Sequence, residues 1–295
     1  MNKELISIEI QQLPSENKLL TFNTLTVYIA EASQIPHIMQ EIGLLRIGAF
    51  DLGPDEEQLT LKIDAFDFYY SHLFVMDNET HQILGAYRLG FVDKILQRFG
   101  KKGLYVSTLY TLADNFFQKT GPLIELGLAF ISPENQGRAP VLQLMLKAIL
   151  LLVKQRQYAG VYGLTSITND YKPESKQLIV DSLRVHCSDE ILSSLVSPLH
   201  PYQNIQPSSE VHVLVNDKNW VITLEKMIRS MESNQRGLPV LLRHYLGTQP
   251  KIITFGWDPH FKQVLDCFTL VLVKNMPAYQ LDRILSVKSI LDKYQ

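Results

Sequence analysis

Residues 121–155, GPLIELGLAFISPENQGRAPVLQLMLKAILLLVKQ, contain the most apolar run of the chain, and their layout leaves few folds open. An apolar stretch of strand length leads through a polar turn into a helix that is apolar around most of its circumference. Such a helix has to be buried, and a strand joined to it by a short turn makes an α/β unit. Gln143 and Lys147 interrupt the run, which falls short of the roughly 20 apolar residues that cross a bilayer. The turn from Gln136 to Pro140 leaves the first N–H groups of the helix without intrahelical partners at the positive end of its dipole, an end suited to an anion. The plainer alternative is that Gly137 only eases the turn and the helix is core.

The spacing of apolar residues assigns further elements. TLTVYIAE (24–31) alternates and predicts a half-buried strand. Residues 34–50 carry helical spacing, with Ser33 as N-cap and Asp51-Leu52-Gly53-Pro54 as stop. HLFVMD (72–77), the turn Asn78-Glu79-Thr80 and ILGAYRLGFV (83–92) predict a hairpin. A helical turn over 94–99, a strand at LYVSTLY (104–110) and a short helix over 113–119 lead into the opening run. VYGLTSIT (161–168) predicts a strand, and 173–186 a helix begun by Pro173. Residues 218–232 and 237–246 predict helices, KIITFGW (251–257) and FTLVLVK (268–274) strands, and 278–293 a terminal amphipathic helix. Strands and helices in this order predict an α/β mixed sheet.

Hydrophobic residues make up 46% and charged ones 20% of 295, a globular composition. The net charge of −2 gives no pull toward nucleic acid. Cys187 and Cys267 stand far apart without metal-ligand spacing, which argues against a disulfide scaffold or zinc site and fits a reducing compartment. The N-terminal stretch MNKELISIEIQQLPSENK lacks the long apolar segment of a secretory signal. A cytoplasmic protein is expected, with at most peripheral contact at the inner face of the membrane. No Gly-x-Ser-x-Gly elbow, P-loop, His-Glu-x-x-His or dinucleotide fingerprint occurs, so hydrolase, NTPase, zinc-protease and dehydrogenase readings lack support.

Eight ordered motifs narrow the choice. LLRIGAFDLG (44–53), DAFDFYYSHLFVMD (64–77), ILGAYRLG (83–90), GKKGLYVSTLY (100–110), GPLIELGLAFISPENQG (121–137), GLTSITNDY (163–171), GLPVLLRHYL (237–246) and FGWDPHFKQVLD (255–266) follow one another as in the hemolysin-like branch of the GNAT acyltransferases. On them the chain resembles the ornithine-lipid type N-acyltransferases and, more distantly, acyl-homoserine-lactone synthases. The resemblance implies a GNAT-like α/β fold, a mixed, mostly antiparallel sheet flanked by helices. It implies one domain over 1–295, with its core at about 24–190 and residues 191–295 completing the sheet and the acyl pocket. It also implies transfer of a fatty acyl chain, often 3-hydroxylated, to the amine of a small amino acid. The donor would be an acyl-phosphopantetheine thioester on an acyl-carrier protein or CoA, with no permanently bound cofactor and no metal. The resemblance further implies that a second acylation would need another protein. One departure stands out: Leu128 and Ser132 occupy positions where the family usually has basic residues, and losing a guanidinium removes a bidentate partner for an anion. A degenerate acyl-binding protein without turnover, or a signal synthase, are the alternatives.

Attack on a thioester needs a neutral amine, so a base must take a proton. Glu125, between Ile124 and Leu126, is the candidate, because burial there would push it toward the range a base needs. Its alternative is a strut paired with Arg88. Arg88 itself could clamp an acceptor carboxylate, with Asp64 and Asp67 orienting it, binding the acceptor ammonium, or simply solvated in a loop. Gln136, Gly137, Arg138 and Ala139 would cradle the donor. Ser107, Thr108, Ser166 and Asn169 fall at strand ends bordering the expected cleft, where hydroxyls and amides could meet the oxyanion or the leaving thiolate; for Asn169, as for Asp170, capping the next helix is the alternative. His72 reads as a core or surface histidine rather than a catalytic one. Carrier-protein docking would fall to Arg98, Lys101 and Lys102, or to Lys154 and Arg156.

Overall fold

The structure is a computed structural model that describes residues 3–50, 63–135, 140–203, 208–259, 261 and 263–286. In chain order they form α1 (Lys3–Gln12), β1 (Lys18–Phe22), β2 (Leu25–Glu31), α2 (Pro36–Ala49), β3 (Ser71–Asp77), β4 (Gln82–Phe91), α3 (Val92–Phe99), β5 (Tyr110–Leu112), α4 (Phe116–Thr120), β6 (Leu123–Ile131), α5 (Val141–Gln155), β7 (Gly160–Ile167), α6 (Pro173–Cys187), α7 (Glu190–Ser193), β8 (Val196–Pro198), α8 (Trp220–Met231), α9 (Val240–Leu246), β9 (Lys251–Asp258), β10 (Val264–Leu272) and α10 (Ala278–Leu285). The class is the expected α/β one, with mostly antiparallel strands and flanking helices. The chain groups into two compact units, Met1–Arg98 with Ile124–Tyr158 and Asp282–Gln295, and Phe99–Leu123 with Ala159–Leu281.

In the first unit the strand order is β1-β2-β3-β4-β6, every neighbour antiparallel. β3 is buried at all but its last residue and β4 at all but its first, which requires cover on both faces. Ile6 of α1 and Ile38 and Ile42 of α2 pack with Tyr28, Phe74, Ala86 and Phe130 on one face. On the other face α5 lies against β2, β3 and β4. Gly85 permits that approach: a Cβ there would stand 2.9 Å from Val141 Cγ1.

Helix α2 begins later than the sequence predicts. Pro36 occupies its first turn, so the first N–H groups needing a partner belong to His37 and Ile38, beyond the reach expected of Ser33, which lies in a 3₁₀ turn. Glu9 of α1 serves instead, its carboxylate accepting from His37 N at 2.7 Å and Ile38 N at 2.9 Å. The expected stop at 51–54 lies outside the described residues.

In the second unit β7-β10-β9 form an antiparallel sheet and β5 pairs with β8. Leu178, Leu183, Leu224, Ile228, Leu242 and Leu265 build its core. Two expectations fail here. LYVSTLY is not one strand: 3₁₀ turns over Lys101–Gly103 and Tyr105–Thr108 precede the short β5. Ser107 and Thr108 explain the difference, since their hydroxyls donate to the carbonyls of Lys101 and Tyr105, both at 2.7 Å, and local bonds of this kind compete with a sheet ladder. β10 starts at Val264, earlier than position 268.

Candidate active site

Strand β6 places Glu125 opposite Gly90 of β4, on the sheet face that also carries Arg88. The side chain is buried, with the residue 3% exposed, and its Oε2 accepts a hydrogen bond from the hydroxyl of Tyr70. Gly90 creates the room for that contact. A Cβ at this position would lie 2.4 Å from Tyr70 Cε1 and 2.8 Å from Cζ, so only glycine lets the phenol lie over β4 and reach the carboxylate. Gly90→Ala is expected to cost about 1–3 kcal/mol by overpacking. It should also displace Tyr70 and slow turnover, which denaturation and rate measurements on the same variant would show.

Around this pair lies a buried charge network. Asp64 and Asp67 cap a 3₁₀ turn reciprocally, Asp64 Oδ1 accepting from Phe66 N at 2.8 Å and Asp67 Oδ2 from Asp64 N at 2.9 Å. The turn aims both carboxylates inward. Arg88 Nη1 meets both oxygens of Asp64 at 2.6 Å and Asp67 Oδ1 at 3.5 Å. Arg46 of α2 grips Asp67 bidentately, at 2.9 and 3.0 Å. The Arg88 guanidinium also lies over Phe66 and Tyr70, 5.4 and 5.3 Å from the ring centroids. Burial alone would raise the Asp67 carboxyl; the charge and hydrogen bonds of Arg46, then Arg88, outweigh it and hold the group below its ordinary value.

Two expectations change. Asp64 and Asp67 are not solvated loop acids, because Arg46 and Arg88 turn them inward. Arg88 is no open clamp for an acceptor carboxylate, since its guanidinium is fully buried and already engages Asp64 and Asp67.

His72 is a core histidine. Burial lowers it to about 4, so it is neutral near pH 7, and because a carbonyl can only accept, Nε2 carries the proton donated to Asp67 O at 2.9 Å. A pH dependence follows. The unfolded histidine binds a proton near 6.5 and the folded one only near 4, so this stabilisation is complete above pH 6.5 and is lost as pH falls toward 4. Between pH 7.5 and 5 the loss is about 2 kcal/mol. Urea titrations at the two values should show it, and His72→Gln, which keeps an N–H for the carbonyl, should remove most of it.

Beyond Glu125 strand β6 carries a bulge. Ala86 pairs with Phe130 and Arg88 with Gly127, so Leu128 and Ala129 together oppose Tyr87. Leu128 has φ +48°, a left-handed backbone in a non-glycine residue. Gly127, Leu128 and Ala129 are half-buried within a strand otherwise mostly buried, so the bulge is where β6 opens to solvent beside Glu125.

Of the remaining candidates, Ser107, Thr108, Ser166 and Asn169 belong to the second unit. Gln136, Gly137, Arg138 and Ala139 lie outside the described residues. Ser107 and Thr108, in the second unit, give their protons to main-chain carbonyls. Ser166 donates to Asp266 Oδ1 at 2.6 Å, and burial pushes the Asp266 carboxyl up to about 7 against that hydrogen bond. Asn169 does not cap α6: it accepts from Lys176 Nζ at 2.9 Å and donates to Gln263 O at 3.1 Å, while Lys172, the residue just before α6, gives its N–H to Glu232. Asp170 pairs with Arg236 instead. Tyr70, Gly90 and Arg46 are the site residues that sequence reasoning misses. Only Arg46 leaves a signal, as a cation on the helical stripe of Met39, Ile42 and Gly43.

Comparison with known proteins bears on this arrangement. Residues 46–146 match the acetyltransferase (GNAT) domain, a stretch that holds Arg46, Asp64, Asp67, Tyr70, Arg88 and Glu125. A glycine N(alpha)-acyltransferase of Bacteroides thetaiotaomicron is 27% identical over 277 residues, covering 87% of this chain and 79% of that protein. A glycine N(alpha)-acyltransferase of Phocaeicola vulgatus is 25% identical over 279 residues, covering 87% and 81%. The crystal structure of a conserved protein of unknown function from Enterococcus faecalis V583, described as a probable N-acyltransferase, aligns with 48% of this chain and 29% of its own. Its TM-score is 0.32 at 15% identity, and it bears no weight here. The fold is GNAT-like, and the chain is an acyltransferase acting on an amine.

Proposed function

We propose that this chain moves a fatty acyl group from a phosphopantetheine thioester to the α-amine of a small amino acid, with Glu125 as the base. Glycine is the acceptor that the names of the two relatives favour. The observation that carries the chemistry is the buried Glu125 carboxylate, held by the Tyr70 hydroxyl next to the opening of β6. In the reaction the neutral amine attacks the thioester carbonyl, the N–C bond forms, the C–S bond breaks and the thiolate leaves. Glu125 accepts the proton that the nitrogen loses. Main-chain N–H groups taken out of the ladder at the bulge would stabilise the tetrahedral oxyanion.

A fatty donor and an aminolipid product rest on the motif order shared with the ornithine-lipid type enzymes. A carrier protein is the donor's bearer in this reading, with CoA as substitute. Its docking charge in this reading comes from Arg98 and Lys102 or from Lys154 and Arg156, which close α5. Lys101 is committed within its own unit, to Leu112 O at 2.8 Å and Asp114 at 2.6 Å. An acylated product implies peripheral contact with the inner face of the membrane; among the described residues no helix is long and apolar enough to cross it.

A second reading, acyl binding without turnover, draws on Leu128, which brings no cation to the bulge. Lipid extracts of an overexpressing strain distinguish the two. A new amide-linked acyl amino acid supports transfer, and its absence from cells holding folded protein supports binding alone.

A further inference from the structure

Asp64 differs from the other acids of the buried network in two ways. Its side chain keeps 19% of its surface accessible, whereas that of Asp67 keeps none. Its two oxygens are also unequally engaged. Oδ1 accepts from Phe66 N, Asp67 N and Arg88 Nη1, while among the described residues Oδ2 accepts from Arg88 Nη1 alone. A carboxylate oxygen can accept about two hydrogen bonds, so Oδ2 has room for one more donor. The Nη1 that it meets is shared with Asp67, which leaves the negative charge of Asp64 only partly answered.

This carboxylate borders the reaction centre. Arg88, which it holds, pairs across the strands with the half-buried Gly127, and a Cβ on Gly127 would lie 3.9 Å from Arg88 Nε, so the arginine runs beside that glycine. Glu125 projects from the same face of β6 two residues earlier, about 7 Å along the strand. The half-buried Tyr69 feels the charges of Arg88, Asp64 and Glu125 together. All of these residues belong to the first unit.

We propose that Asp64 receives the ammonium of the amino-acid acceptor and holds its nitrogen within reach of Glu125. The inference rests on the acyl-transfer reading above. A free amino acid arrives with its α-nitrogen as an ammonium, which has three N–H donors. One donates to Asp64 Oδ2 where water is partly excluded, and such charge-assisted bonds are the strong ones. A second gives its proton to the Glu125 carboxylate; the electron pair of that N–H bond stays on nitrogen and attacks the thioester carbonyl. The neutral amine still donates to Asp64, so it stays oriented when it becomes the nucleophile. Arg88 then acts by orienting Asp64 rather than by touching the acceptor.

The test compares two acids of one shape that cannot be acylated to an amide: N,N-dimethylglycine, whose nitrogen is a cation with one N–H, and 3-methylbutanoate, in which a neutral CH takes its place. Ligand-observed NMR titrations of the full chain should show the cation bound about 10- to 100-fold more tightly. Asp64→Asn, which keeps the size of the side chain, should remove that preference, and Asp64→Glu should keep part of it. Equal binding of the two acids by wild type, or a preference that survives Asp64→Asn, would overturn the site. Should Asp64→Asn not fold, the wild-type comparison and Asp64→Glu decide, a preference kept in both supporting the site and equal binding in either overturning it. In turnover, Asp64→Asn should raise KM for glycine about 10- to 100-fold, with kcat falling less and KM for the thioester unmoved. A loss confined to kcat or to the melting temperature would overturn the site by making Asp64 a support for Arg88 alone. If wild-type protein does not acylate glycine, the acyl-transfer reading fails, and the NMR comparison still decides the ammonium site.

Discussion

Glu125→Gln should lower turnover by roughly 10²- to 10⁴-fold while donor affinity barely moves. The amide keeps the size of the side chain and can still accept from the Tyr70 hydroxyl through its oxygen, so the melting temperature should shift little. What it cannot do is take a proton. Tyr70→Phe should be milder, since it removes an orienting hydrogen bond and leaves the carboxylate in place. Single-turnover rate and melting temperature measured on one preparation separate chemistry from architecture. A wild-type rate with a depressed melting point would make Glu125 a strut.

The largest loss of stability should come from Asp67→Asn. This residue is fully buried and accepts two hydrogen bonds from Arg46. The isosteric change leaves the Arg46 guanidinium buried without its countercharge, which is expected to cost about 3–5 kcal/mol. Replacing both partners by apolar residues, Arg46→Met with Asp67→Leu, should cost less than the single change, because no uncompensated charge then remains. Urea denaturation of the three proteins tests this. A loss under about 1 kcal/mol for Asp67→Asn would mean the pair behaves like an exposed ion pair. The stabilisation from Asp67 is present above its unfolded value and should vanish as pH falls through its depressed folded one, below the window set by His72.

The position of Glu125 is legible in the sequence because one carboxylate inside an apolar strand has nowhere to go but the interior. Its partner is not. Tyr70 lies 55 residues away, and the contact depends on Gly90 having no side chain, which no periodicity records. Asp64 and Asp67 read equally well as solvated loop acids, since the arginines that turn them inward stand on α2 and β4, 21 and 24 residues distant. LYVSTLY alternates as a strand does, and only the hydroxyls of Ser107 and Thr108, bonding back to nearby carbonyls, make it a pair of turns. Lys176 shows the same limit. A lysine near a helix start suggests a solvated charge, whereas its burial against Trp257 comes from a strand more than 70 residues later in the chain.

The central claim is amide formation by this chain with Glu125 as base. The measurement that bears on it most directly is single-turnover transfer of a labelled acyl group from an acyl-carrier-protein thioester to glycine, by the purified wild-type chain and by Glu125→Gln side by side. The account predicts that labelled N-acylglycine appears as the thioester is consumed, and at least ~100-fold more slowly with the variant. Thioester left intact by folded wild-type protein, or hydrolysed without amide appearing, would contradict it.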